Sequence, residues 1–321
     1  MTNNKNNKYS GISIVIPTYG KRNFLKDVLI SLNNQIIKHF NVEVLVIYQD
    51  RDDIDEIIKS IEFDKIEVIL IHNEKLGSTR ARNTGTIKAK YSLIAYIDDD
   101  IIPLDRSWLK NIWSLYQNHN VAVLCGKIIL DPLFPHDLKA YRDLFVDFDK
   151  GNKNKFLKLG SFVPSAQLII TKSLMLKLGG FRLNLDRVGT NLMSGCDNEL
   201  SISLGKINQR VFYSPSLKVM HHILPFRKGF FYLFKRVFLQ GVTDSYLENH
   251  FYKIGKRKII CSLASWLLFI LKKSTHFISN PKENTNHFDS IIYKTGYIYG
   301  LFYALARPQP KPRPLNIYEQ V

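Results

Sequence analysis

The sequence predicts an α/β fold, a mixed sheet flanked by helices, with a helical and basic C-terminal extension. Three observations lead there. Short apolar runs alternate with helically spaced apolar residues between Gly11 and Asp100, the pattern of a doubly wound sheet. One of these runs, Ser92 to Ile97, ends in Asp98-Asp99-Asp100, so a buried strand releases three carboxylates at a sheet edge. In open α/β sheets that carboxyl edge is where ligands sit. Finally, residues 1–150 hold 20 of the 45 basic and 20 of the 28 acidic residues, so the whole net charge of +17 lies in the remainder.

The elements follow in order. Ile12 to Pro17 reads as a first buried strand, with Thr18 and Tyr19 just beyond it, and Leu25, Val28, Leu29 and Leu32 then recur at helical spacing. Val42 to Ile47 is a second strand. The acidic stretch Asp50 to Glu56 opens a helix, where acids suit the dipole and Asp52 and Asp53 are expected to cap. Glu67 to Ile71 is a third strand, and Gly77-Ser78-Thr79 starts a helix through Arg80, Ala81, Arg82 and Ile87. After the triple-Asp strand come a helix from Trp108 to Tyr116 and a strand from Val121 to Cys125. The charged stretch Asp131 to Leu159 is expected to be a mobile loop. Ala166 to Ile170 is a strand, and Lys172 to Leu178 a helix closed by Gly179-Gly180. Val211 to Tyr213 then leads to Pro215 and the pair His221-His222.

From Pro225 the character changes. Phe230, Phe231, Leu233, Phe234, Val237 and Phe238 are mixed with Arg227, Lys228, Lys235 and Arg236. The apolar run Ile259 to Leu271, flanked by Lys256-Arg257-Lys258 and Lys272-Lys273, is too short to span a bilayer, which takes about 20 residues. Such a stretch fits a helix lying in a membrane interface, or a helical lid on the α/β domain. Ile291 to Ala306 is a further helix, and the proline-rich tail after Arg307 is expected to be extended or disordered. The implied domains are a disordered 1–10, an α/β domain at 11–225, a basic, aromatic helical region at 226–306 that associates with membrane, and the tail at 307–321.

Composition narrows the classes. Cys125, Cys196 and Cys261 are scattered and odd in number, which argues against a disulfide framework and for a reducing compartment. Met1 to Ser10 is polar and has no apolar core, so no secretory signal is expected. A basic half calls for an anionic partner, membrane or nucleic acid. Nucleic acid is excluded by the absence of RNP-like aromatics, zinc spacing or a helix-turn-helix signal. Three adjacent acids repel unless a cation offsets them. Strand alternation would put Asp98 and Asp100 on one side, suited to a divalent metal, and Asp99 on the other. Alone, the triplet reads more readily as a solvated turn; its context decides.

That context is an ordered series: Ser13 to Tyr19, Gly77 to Gly85 with Ala81-Arg82-Asn83, Asp98-Asp99-Asp100, Gly179-Gly180-Phe181, Arg187-Val188-Gly189, Ser194 to Leu200, and Pro215 with His221. The series resembles the family 2 glycosyltransferases of the inverting GT-A type, with their Rossmann-like fold, over residues 10–225. The resemblance implies a metal-dependent enzyme that moves a sugar from a nucleotide-sugar donor to a hydroxyl of a glycan or lipid-linked acceptor, in cell-surface polysaccharide synthesis. It would act in the cytoplasm, peripherally at the inner face of a membrane. On this likeness Pro17, Thr18, Tyr19, Gln49, Arg82, Asp98 and Asp99 would bind the donor, with Gln49 at the base. Asp100, Asp98 and His221 would hold Mn²⁺ or Mg²⁺, and Asp197 would be the catalytic base. Arg187, Gly189, Cys196 and Glu199 would lie on the acceptor side. Two positions depart from the family: Tyr48 where an acid is usual, and Cys196 beside the base where Glu is usual. They leave a competing reading, a catalytically impaired binding module of the same fold.

Overall fold

The computed structural model describes residues 10–20, 24–50, 53–188, 192–252, 255–279, 285–305 and 313–321. The chain divides into two compact units, one of Met1–Leu183, Cys196–Ile223 and Arg313–Val321, the other of Asn184–Gly195 and Leu224–Pro312.

The first unit is built on a sheet. Its opening half carries β1 (Gly11–Thr18), α1 (Leu25–Asn33), β2 (Asn41–Tyr48), α2 (Ile54–Lys59), β3 (Glu67–His72), α3 (Ser78–Lys88) and β4 (Leu93–Ile97). Then follow β5 (Ile101–Pro103), α4 (Trp108–His119), β6 (Val123–Leu130), β7 (Lys155–Phe156), β8 (Gln167–Thr171), α5 (Lys172–Leu178), α6 (Cys196–Lys206) and β9 (Phe212–His221). Among the described residues the strands form one nine-stranded sheet in the order β3-β2-β1-β4-β8-β6-β9-β5, with β7 paired to β9. The β3-β2-β1-β4 half is parallel, and β8 enters antiparallel to both β4 and β6. The sheet is therefore mixed, as the sequence predicted.

All eight residues of β1 and all five of β4 are buried, which is what their unbroken apolar runs require of strands covered on both faces. The polar exception is satisfied internally. Ser13 Oγ donates to Glu43 Oε1 at 2.6 Å, and the Lys90 N–H donates to the same oxygen at 2.6 Å. This network fastens the α3–β4 turn to the N-terminal ends of β1 and β2. Strand order reverses between β1 and β4, so the carboxyl ends of these neighbours flank the crevice where a doubly wound sheet takes its ligands.

Three expectations change. The stretch 131–159 is not a mobile loop: it contains a 3-10 helix at His136–Phe145, Ile128 and Phe148 exchange both backbone hydrogen bonds, and β7 adds a short strand. Buried Phe145 and Phe148 anchor it, apolar residues that its high charge concealed. Asp53 stands before α2 with a left-handed backbone, φ 54°, and its side chain makes no capping bond there; Asp52 lies outside the described residues. The end of the tail is ordered. Residues 306–312 are not described, but Arg313–Val321 belong to the first unit, with Ile317 only 4% exposed.

The second unit is helical: α7 (Phe230–Tyr252), α8 (Lys256–Ser279) and α9 (Thr285–Leu305). α7 and α9 approach closely because glycine faces backbone. A Cβ on Gly296 would meet the Phe238 carbonyl at 2.0 Å, and one on Gly241 would meet that of Tyr293 at 2.1 Å. Tyr293 Oη donates to Asp244 Oδ2 at 2.8 Å across the same contact, and Tyr297 Oη bonds to Glu248. No described helix is long and apolar enough to cross a membrane.

Candidate active site

The triple Asp is the turn between β4 and β5. Strand geometry stops at Ile97, and the Ile101 N–H closes onto the Asp98 carbonyl at 3.1 Å, so strict alternation does not govern the three side chains. Each takes its own partner. Asp98 forms an ion pair with Arg82 of α3. Asp99 Oδ2 accepts from Thr18 Oγ1 at 2.5 Å, which joins the ends of β1 and β4. Asp100, 5% exposed, places Oδ1 3.5 Å from Nε2 of His221 at the end of β9. Backbone pairing sets that last contact, because Ile101 lies opposite His221 and the His222 N–H donates to the Asp100 carbonyl at 2.9 Å.

His221 Nδ1 lies 2.6 Å from the Phe145 carbonyl, so it donates its proton there and leaves Nε2 facing Asp100, where it can act as a ligand in its neutral tautomer. Two acceptors facing each other at this distance suit a cation between them. Among the described residues no set of three His, Cys, Asp or Glu side chains is arranged to hold a metal alone. The donor set therefore fits an ion that also takes phosphate oxygens and water, the usual condition of Mg²⁺. His222 takes a different part: its Nδ1 pairs with Asp131 Oδ2 at 2.7 Å and its ring stacks on Phe24.

Arg82 is 4% exposed. Burial penalises its charge, yet Asp98, then Asp197 and Cys196, outweigh that penalty and hold the guanidinium well above its ordinary pKa. One buried cation thus feels the carboxylate that follows β4 and the carboxylate that opens α6. Asn83, next to it, holds the turn after α5 by two bonds, Nδ2 to the Phe181 carbonyl at 2.8 Å and Oδ1 from the Phe181 N–H at 2.7 Å.

Asp197 sits in the first turn of α6, where the helix dipole favours its charge. Oδ2 accepts from the Ser165 N–H at 3.0 Å and Oδ1 from the Cys196 thiol at 3.3 Å. The Ser165 segment is itself pinned, since the Val163 N–H donates to Ser201 Oγ at 2.9 Å and Ser201 Oγ donates to the Asp197 carbonyl at 2.7 Å.

Not every expected residue joins this cluster. Gln49, expected at the base, spends its amide on a loop: Nε2 donates to the Lys75 and Gly77 carbonyls at 2.8 and 3.0 Å, and Oε1 accepts from the Gly77 N–H at 3.2 Å. It shapes the entry to α3. Glu199, expected on the acceptor side, is fully buried between Arg182 at 3.3 Å and Arg313 at 2.6 Å, and is an internal anchor of α6. Arg187 lies in the second unit, where Nη2 donates to Ser194 Oγ at 3.0 Å; Gly189 lies outside the described residues. Pro17 is buried at the end of β1, and Tyr19 is 53% exposed just past it. Sequence reasoning missed the Ser165 N–H and the Phe145 carbonyl, since a backbone group leaves no residue signature. It also missed Arg313, which it placed in a disordered tail.

A Rossmann-like parallel half sheet, continued by antiparallel β8 and flanked by helices, is a fold of the GT-A class. The sequence profile of "Glycosyl transferase family 2" matches residues 13–175, half of the chain, and the chain belongs to that family. It is similar to the glucosyl-dolichyl phosphate glucuronosyltransferase of Haloferax volcanii, 19% identical, with 90% of this chain and 96% of the relative covered. Among solved structures it resembles the mannosyltransferase PcManGT of Pyrobaculum calidifontis in complex with GDP-Man and Mn²⁺, with TM-score 0.54, 14% identity, and 92% of this chain and 73% of that one covered. It also resembles S. aureus TarS, with TM-score 0.53 and 14% identity, covering 77% of this chain but only 44% of that one. The protein is a glycosyltransferase.

Proposed function

We propose that this glycosyltransferase is inverting and metal-dependent, and that it moves a sugar from a nucleoside-diphosphate donor to a hydroxyl of a glycan or lipid-linked acceptor in cell-surface polysaccharide assembly. The observation that carries the reading is that buried Arg82, ion-paired with Asp98, also feels the charge of Asp197, which links the triple-Asp edge electrostatically to the helix start that carries the proposed base. Asp197 takes the proton of the acceptor hydroxyl, whose oxygen bonds to the anomeric carbon as the bond from that carbon to the diphosphate oxygen breaks on the opposite face. The Ser165 N–H and the position of Asp197 in the first turn of α6 hold its carboxylate aimed before that proton arrives. Asp100 and His221 would hold Mn²⁺ or Mg²⁺, which stabilises the negative charge growing on the leaving diphosphate. Pro17, Thr18 and Tyr19 line the donor crevice, Thr18 fixing Asp99, while Arg82 holds Asp98 toward the nucleotide.

The named glucuronosyltransferase relative works on a dolichyl-phosphate-linked sugar, and the structural neighbour holds GDP-Man with Mn²⁺; both support a lipid-linked acceptor and a metal-assisted donor. The α/β domain at 11–225 would carry the chemistry. The basic helical region at 226–306 would keep the enzyme peripheral at the anionic cytoplasmic face of a membrane, with no nucleic acid involved. Nucleotide release from a panel of nucleotide sugars, with Mn²⁺ and with chelator, tests the reading. One donor should turn over, and only with metal. Metal-dependent donor binding with no turnover on any acceptor would make the protein a binding module instead.

A further inference from the structure

Aromatic side chains are seldom left in water, yet four phenylalanines are exposed together at the corner where the 3-10 turn Pro225–Lys228 meets α7. Phe226 is 64% exposed, Phe230 63%, Phe231 85% and Phe234 41%. Three of them touch: the Phe230 ring lies 5.7 Å from that of Phe231 and 6.4 Å from that of Phe234, while the Phe226 ring on the preceding turn lies 6.0 Å from that of Tyr232 in the first turn of α7. The Arg227 guanidinium lies 5.9 Å from the centre of the Phe226 ring, and Lys235 follows Phe231 by one helical turn on the same face. No Asp or Glu occurs between Glu199 and Asp244, so the segment that carries the phenylalanines has charges of one sign only.

We infer that this corner is a monotopic docking face that inserts Phe226, Phe230 and Phe231 into the interface of an anionic bilayer, with Arg227, Lys228 and Lys235 resting on the headgroups. Exposed apolar surface of this kind marks a partner. The charge identifies which one. Two copies meeting patch to patch would bring like-charged Arg227, Lys228 and Lys235 together, a repulsive arrangement, whereas an anionic surface complements both the rings and the cations. A spanning helix is not needed, and none of the described helices supplies one. The inference rests on the membrane part of the reading above and names the face that performs it.

Co-sedimentation of the full chain with phosphatidylcholine vesicles, with and without phosphatidylglycerol, tests it. The protein should pellet with the anionic vesicles and far less with the neutral ones. The combined Phe226→Ser, Phe230→Ser, Phe231→Ser variant should bind anionic vesicles at least about tenfold more weakly. The combined Arg227→Gln, Lys228→Gln, Lys235→Gln variant should lose roughly fivefold per residue on anionic vesicles while its weak binding to neutral ones is unchanged. Phe226, Phe230, Phe231 and Lys235 are exposed and Arg227 and Lys228 half-exposed, so melting curves of both variants are taken alongside and should follow the parent's. Equal vesicle binding by the parent and either variant overturns the inference. So does a parent that stays in the supernatant, or a parent dimer that the phenylalanine variant dissolves. Donor binding measured on the same preparations reports separately on the transferase reading, since none of the six positions is among the residues proposed to bind the donor.

Discussion

Arg313 offers the sharpest test of how the active-site helix is held. Its guanidinium grips Glu199 through Nε to Oε1 at 3.0 Å and Nη2 to Oε2 at 2.6 Å, and Nη1 donates to the Leu178 and Gly180 carbonyls at 2.5 and 2.8 Å. Burial works against the Glu199 charge, but Arg313, then Arg182, hold its pKa below the ordinary carboxylate range. Arg313→Ala leaves that buried carboxylate with Arg182 and Ser203 alone. Stranding part of a buried ion pair costs about 3 kcal/mol, the low end of the usual range because two partners remain. In a unit of this size that is a fall of about 6–12 °C in Tm. Thermal melting of Arg313→Ala, Glu199→Gln and the double variant should show strong coupling, with the double variant recovering part of the loss because the buried carboxylate that Arg313 serves is gone too. Since α6 also carries Asp197, the transfer rate of Arg313→Ala should fall further than its donor affinity. A lowered Glu199 pKa is stability present above the unfolded carboxylate pKa and lost as pH falls through the folded value, so the difference between parent and Arg313→Ala should narrow in acid. A Tm within 1 °C of the parent, or additive single effects, would refute the clamp.

Asp197→Asn should fold, bind donor and lose transfer by about 10²- to 10⁴-fold, read by nucleotide release; full activity would remove it as the base. Asp100→Ala should abolish the metal dependence of donor binding in calorimetric titration, and an unchanged affinity with Mn²⁺ would count against the site. Burial raises the Asp244 pKa in the helical unit, so the folded form binds more protons than the unfolded one above the ordinary carboxylate pKa. Stability of that unit should therefore fall as pH rises through the raised value. Asp244→Asn, which can still accept from Tyr293, should melt higher than the parent at neutral pH and show a flatter profile between acid and neutral; a steeper profile would reverse the sign.

The sheet was legible because its signal is repeated. Ile12 to Pro17, with Ser13 the one exception, and Leu93 to Ile97 are apolar at successive positions, which suits a strand covered on both faces, and β1 and β4 are such strands. Asp98 to Asp100, Arg82, Asp197 and His221 were legible as types at a spacing. What they do to one another was not. Gln49 has the chemistry to read a base, but a buried amide at a strand end also meets loop backbone, and the Gly77 loop takes both of its ends. Arg313 failed for the opposite reason. Composition averages over a proline-rich tail, whereas order there is decided by one guanidinium finding a buried carboxylate 114 positions away, and by Leu315 lying against Gly179, where a Cβ would meet its carbonyl at 1.8 Å.

Three adjacent carboxylates looked, in the sequence, like a charge that only a bound cation could offset. The structure divides the problem. Asp98 has Arg82, Asp99 has the Thr18 hydroxyl, and Asp100 faces His221, so three different elements, α3, β1 and β9, each hold one acid. The repulsion is then relieved by the fold, and on the proposed reading Asp100 would be left to hold a divalent ion for the donor phosphates. This assigns the cost of losing each partner. Removing the Arg82 charge strips a buried cation from both Asp98 and Asp197, and should damage folding and chemistry together. Removing the His221 imidazole takes a partner from Asp100 and from the Phe145 carbonyl but leaves the other two acids their own, and should weaken metal-dependent donor binding while the β5–β9 backbone pairing stays intact.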